Sequence, residues 1–164
     1  MKRTLLKKLL FLTLAFILIF PISGCYAGTA AKERGQGEKI GLKLIDYIND
    51  EDTDSIVELF SEKVQDHYDL KKETEVFYDA LGSDIKSYGR LQSQDVEVWY
   101  DDGKLTHAII IVTIYDVITK DGKKFDELSF TYIAVDKDKN IVGVESLSLS
   151  NDDKDVAVVG GYFE

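Results

Sequence analysis

The chain has 164 residues, with 20 Lys and Arg against 30 Asp and Glu, a net charge of −10. A single Cys excludes a disulfide scaffold and a Cys-rich zinc site, the length excludes several large domains, and the acidity excludes a basic nucleic-acid binder. Four cations (Lys2, Arg3, Lys7 and Lys8) and no acid lie in residues 1–24, so residues 25–164 hold 16 cations and 30 acids, a net charge of −14.

The N-terminus reads as an address. Met1–Lys8 is basic, Leu9–Phe20 is apolar apart from Thr13, and Pro21, Ser23 and Gly24 follow. This is the layout of a secretory signal. The apolar run is shorter than the roughly 20 residues a helix needs to cross a bilayer. Ile22-Ser23-Gly24-Cys25 resembles a bacterial lipobox, in which the Cys is lipidated on sulfur and becomes the mature N-terminus. Two acyl chains, at about 0.8 kcal/mol per buried CH₂, give a stable anchor. Residues 1–24 are therefore expected to be a lipoprotein signal peptide. Residues 25–37, small, polar and Gly-containing, read as a flexible tether of about 20 Å. Residues 38–164 read as one domain.

Helices come first. Leu44, Ile45 and Ile48 repeat at helical spacing within Ile40–Ile48, and Asn49–Asp52 breaks the pattern. Thr53 or Asp54 is expected to cap a second helix that buries Ile56, Leu59, Phe60 and Val64. A third runs over Lys71–Leu81 with Val76, Phe77, Ala80 and Leu81 inward, and Gly82 ends it.

From Gln94 the period becomes two. Asp102-Gly103 and Asp121-Gly122 are hairpin signals, which bound strands ending near Tyr100, over Leu105–Thr119 and over Phe125–Asp136. Lys137–Asn140 turns, and Ile141–Leu149 is the last strand. Two-residue turns predict that Tyr100 faces Leu105, Val98 faces His107, Tyr115 faces Leu128, Thr113 faces Phe130 and Ile111 faces Tyr132. A four-residue third turn sets Tyr132 against Glu145. This face, carrying the bulky Leu, Phe and Tyr, is assigned to the helices. The opposite face carries Trp99 and an apolar centre of Ile110, Val112, Ile114, Ile133 and Val144. A patch of that size marks an interface, to be covered by a second copy, a partner or the tail Val156–Phe163.

The segments Ile45–Phe60 (IDYINDEDTDSIVELF), Phe77–Tyr88 (FYDALGSDIKSY), Ile114–Thr119 and Val142–Leu149 resemble the bacterial lipoproteins grouped as a domain of unknown function, DUF5104. Three helices before a long meander resemble the NTF2-like, cystatin-like fold. The resemblance spans about residues 38–150. It implies an α+β domain, N-terminal helices packed on a long, curved antiparallel β-meander (an NTF2-like cone), in a small secreted lipoprotein with a pocket between helices and sheet. It implies no reaction.

Tyr132, Glu145, Thr113 and Tyr115 are the candidate pocket residues, since NTF2-like enzymes commonly place an acid and a Tyr inside the cone. Asp116 and Glu127 are expected to stand opposite each other, and His107 across from Asp136. Three Asp-x-Asp runs begin like calcium loops, but each lacks the required Gly and the closing Glu. No catalytic Ser/His/Asp set, phosphate loop or metal spacing is present in the sequence, so no cofactor and no metal is expected. The expectation is a lipid-anchored protein on the extracytoplasmic face of the cell membrane, a non-enzymatic module that binds a small ligand or a protein and pairs with itself through the outer sheet face. Acid/base catalysis in the pocket, or acidic inhibition of a basic toxin, are the alternatives.

Overall fold

The computed structural model describes residues 28 and 31–161. Cys25 and the signal-like segment lie outside the described residues.

Helix α1 covers residues 31–49. Its buried stripe runs Gly37, Gly41, Leu44, Ile45, Ile48, the i, i+4, i+7 pattern of one helix face. The tether reading is corrected for residues 31–37, which are helical. The reason lies in the two glycines. A Cβ on Gly41 would come within 3.0 Å of Leu91 and 3.3 Å of Val112, and one on Gly37 within 3.0 Å of Val112. They let the helix backbone lie on the sheet, and a hydrophobicity pattern does not register them.

α2 (Thr53–Leu59) is capped by Asp52, whose carboxylate accepts from Ser55 N–H at 3.1 Å; the cap is thus one residue earlier than predicted. The chain then leaves the helix at Phe60, which forms an isolated parallel bridge with Val144. Ser61 restarts it as the cap of α3 (Glu62–His67), so Phe60 and Val64 belong to different elements. α4 (Leu70–Leu81) buries Leu70, Thr74, Phe77 and Leu81. Val76, predicted inward, is 56 % exposed, and Thr74 takes an inward place because its hydroxyl donates to the Leu70 carbonyl at 2.7 Å. Gly82 closes the helix, its N–H on the Tyr78 carbonyl.

Six strands form one antiparallel sheet: β1 (Ile85–Ser87), β2 (Arg90–Asp101), β3 (Lys104–Thr119), β4 (Lys124–Val135), β5 (Gly143–Asn151) and β6 (Lys154–Gly160). β3 is flanked by β4 on one side and by β2 and β1 on the other, and the sheet continues through β5 to β6. A 3₁₀ turn, Lys139–Ile141, joins β4 to β5. The tail is not a cover for the outer face. Most of it is β6, an edge strand paired with β5, whose Ala157 and Val159 are buried and whose Gly160 N–H donates to Glu73 of α4 at 2.8 Å.

The predicted register fails by one residue between β3 and β4. Ile114 faces Leu128, Val112 faces Phe130 and Ile110 faces Tyr132. The connection holds three residues rather than two: Thr119 N–H bonds the Lys123 carbonyl, leaving Lys120, Asp121 and Gly122 in the loop, with Gly122 at φ +91°. That is the three-residue loop closed by a left-handed residue. A one-residue slip sends every side chain to the other face, so Ile110, Val112 and Ile114 turn to the helices. Further irregularities occur between Asp95 and Glu97, between Trp99 and Tyr100, between Ala108 and Ile109 and between Thr131 and Tyr132. Consequently His107 faces Trp99 instead of Val98.

The space between helices and sheet is filled. Ile48, Ile56, Phe77, Leu81, Ile110, Val112, Ile114, Leu128, Phe130 and Leu147 are each almost wholly removed from water. Buried aliphatic and aromatic side chains each contribute about 1.5–3 kcal/mol relative to exposure, so this layer is the main source of stability.

Candidate functional site

The four candidate pocket residues are divided between the two faces. Tyr132 stands between Ile110 and Val144 on the helix side and packs on the core. Its hydroxyl is pushed up by burial and, less, by the charge of Glu33 on α1. Thr113 and Tyr115 point the other way. Thr113 lies in a polar row with Gln92, Ser129 and Ser148, where the two serine hydroxyls are 3.0 Å apart. Tyr115 is roofed by the Arg90 guanidinium, 4.2 Å from its ring centre. The shared pocket is corrected accordingly; the loop at Gly122 separates its members.

Glu145 sits in a β-bulge. Thr131 pairs with Ser146 and Tyr132 with Val144, leaving Glu145 as the extra residue on β5. Bulges re-aim side chains, and this one takes Glu145 out of the predicted cross-strand pair with Tyr132. Glu145 is 8 % exposed. Burial raises its pKa, opposed by the charges of Lys63 on α3 and, less, of His107.

The interface residues are corrected as well. Ile110, Val112, Ile114 and Val144 belong to the core cluster between helices and sheet. Ile133 is buried but stands apart from that cluster, opposite Ile109 and Gly143. Of the six, Trp99 alone is open, at 58 % exposure. Asp116 and Glu127 are not partners either, because Glu127 pairs with Tyr115 while Asp116 takes a left-handed φ of +55°.

Two constellations emerge. The first joins β2, β3 and the loop after β4 near the tip of the β2–β3 hairpin. His107 Nδ1 lies 2.5 Å from Asp136 Oδ2, its Nε2 lies 3.9 Å from Glu97 Oε2, and its ring is 4.8 Å from that of Trp99 at a tilt of 34°. Asp136 also accepts from Asp138 N–H at 2.8 Å. That bond first, and His107 second, hold the Asp136 carboxyl below the usual range. The His107–Asp136 pairing was legible in the sequence; Trp99 and Glu97 joined it only through the irregular register. The second is a groove of about 280 Å³ on the outer face, lined by Asp126, Glu127, Ser129, Ser148, Ser150, Asp153 and Asp155. Among the described residues no group of three or more His, Cys, Asp and Glu has the geometry to hold a metal ion.

Fold and site together define an α+β protein with N-terminal helices and an open antiparallel sheet, a packed interior and polar features on the sheet's far side. A family model described as a domain of unknown function (DUF5104) matches residues 43–152, and the chain belongs to that family. No curated protein and no solved structure matches it.

Proposed function

We propose that this is a lipid-anchored extracytoplasmic protein whose domain, NTF2-like in arrangement, serves as a non-enzymatic binding module. The observation that carries the anchor is the only Cys of the chain, set directly behind a basic and apolar signal-like segment in the sequence Ile22-Ser23-Gly24-Cys25. The helix–sheet packing supports binding over catalysis. The layer where an NTF2-like enzyme keeps its pocket is filled by Phe77, Phe130, Leu128 and Ile114, and Glu145 shares no pocket with Thr113 and Tyr115. The net charge of −14 over residues 25–164 favours cationic or neutral partners over nucleic acid.

Metabolic labelling with a palmitate analogue tests the anchor. The wild-type chain takes up label and fractionates with membranes, whereas Cys25→Ala does neither. Persistent labelling of the variant refutes the reading.

A further inference from the structure

The N-terminal turns of α1 from residue 31 and the β2–β3 hairpin lie at the same end of the molecule. Gly41 of α1 stands over Leu91, Val112 and Phe130, whereas Gly37, one turn earlier, stands over Val112 and Ile110. Ser93 donates to the Arg34 carbonyl at 3.2 Å and to the Glu38 carboxylate at 3.0 Å. Moving back along α1 therefore moves from Val112 to Ile110 on β3 and from Leu91 to Ser93 on β2, toward the Asp102-Gly103 tip. From Gly37 to residue 31 the helix rises about 9 Å. From Ile110 to His107 the strand advances about 10 Å, and His107 pairs with Trp99. Residue 31 of α1 is thus about level with Trp99. Cys25 precedes residue 31 by six positions, a covalent reach of at most about 20 Å.

Trp99 and Val96, both on β2, are the most exposed large hydrophobic side chains among the described residues, at 58 % and 57 %. Trp99 does not hang free, because His107 backs its ring and Asp136 holds His107. The loops at this end are close to balanced in charge. Lys104, Lys137 and Lys139 stand against Asp101, Asp102, Asp136 and Asp138, a net charge of −1, in a chain that is −14 beyond residue 24. An anionic surface repels the domain as a whole, but in these loops it meets a single net negative charge.

We infer that Trp99 seats in the headgroup layer of the membrane that holds the Cys25 lipid, so that the domain stands end-on with the β2–β3 hairpin against the bilayer. The indole suits that layer, since it pairs a large apolar ring with one N–H that remains hydrated. The inference rests on the lipid-anchor reading above and adds an orientation to it.

Trp99 is the only tryptophan, so intrinsic fluorescence reports on it alone. The full, acylated chain is reconstituted into phosphatidylcholine–phosphatidylglycerol vesicles and floated on a density gradient. The expected result is flotation, a blue-shifted emission, protection from iodide, and quenching of about twofold or more by lipids brominated near the headgroup. Flotation with emission unshifted, iodide-accessible and unquenched by brominated lipid overturns the inference while leaving the anchor intact. Emission that is already blue-shifted in detergent, and that varies with protein concentration, overturns it in favour of a second copy as the occupant. Absence of both acylation and flotation overturns the anchor and the orientation together.

Discussion

Asp136 ties three pieces of chain together: it takes a bond from Asp138 N–H in its own loop and pairs with His107 on β3, which in turn backs Trp99 on β2. Its carboxyl is held below the usual range, so its stabilising contribution is present above the unfolded pKa of about 4 and is lost as pH falls through the lower, folded value. Asp136→Asn should therefore cost about 1–2 kcal/mol at pH 7. The gap between variant and wild type should begin to narrow only below about pH 4 and close as pH falls through the lowered, folded value, which urea unfolding followed from pH 7 down through that range measures. Glu145 has the opposite sign. Burial raises its pKa, so the folded state holds its proton longer than the unfolded state, and stability falls as pH rises from the unfolded pKa of about 4.3 to the raised one. In Glu145→Gln that decline should vanish. Melting temperatures followed from pH 4 to pH 7 would drop as in the wild type if the carboxyl were not the cause.

At the scale of elements, two glycines set geometry that the hydrophobic pattern leaves open. Gly122 holds the φ of +91° that closes the three-residue β3–β4 loop and thereby decides which face of β3 meets the helices. With its surroundings open to solvent, Gly122→Ala should cost only the left-handed backbone penalty, about 1–2 kcal/mol. Gly143, at φ +141°, lies under the break between α2 and α3, where an added Cβ would stand 2.7 Å from Ser61 N. Gly143→Ala combines that strain with a backbone clash and should cost about 3 kcal/mol or more, because Ser61 N–H and the Val144 carbonyl must part. Denaturant midpoints of the two variants should rank in that order. The same elements show where sequence reading runs out. Strand existence on β3, β4 and β5 was legible from alternation and the two Asp-Gly turns. The face of β3 was not, since both faces of Leu105–Thr119 carry Ile, Val and Thr, and loop length is what breaks the tie. β6 was hidden because Val156, Val158 and Val159 are too few to set a phase without the partner strand.

For the whole molecule, charge is the feature that acts at long range. Residues 25–164 carry −14, so the folded state repels itself, and screening should stabilise it. Raising salt from low ionic strength to a few tenths molar should raise the melting temperature by about 2–4 °C, or about 1 kcal/mol for a chain of this size. Calorimetry with a neutral osmolyte as control separates screening from surface exclusion. The tether also looks different at this scale. With α1 helical from residue 31 onward and seated on β2 and β3, at most five residues separate Cys25 from a rigid element.

Composition and local pattern alone determined the class of fold, the order of helices before strands, the acidic character and the signal-like N-terminus with its single Cys, because each depends on residues near one another in the chain. Tertiary structure decided which side chains share a face, and so dispersed the pocket of Tyr132, Glu145, Thr113 and Tyr115 and turned Ile110, Val112 and Ile114 into core. Those outcomes follow from one extra loop residue at Lys120–Gly122 and one bulge at Glu145. A side-chain period of two converts each single-residue shift into a change of face, and nothing in the local hydrophobicity of a strand apolar on both sides records it.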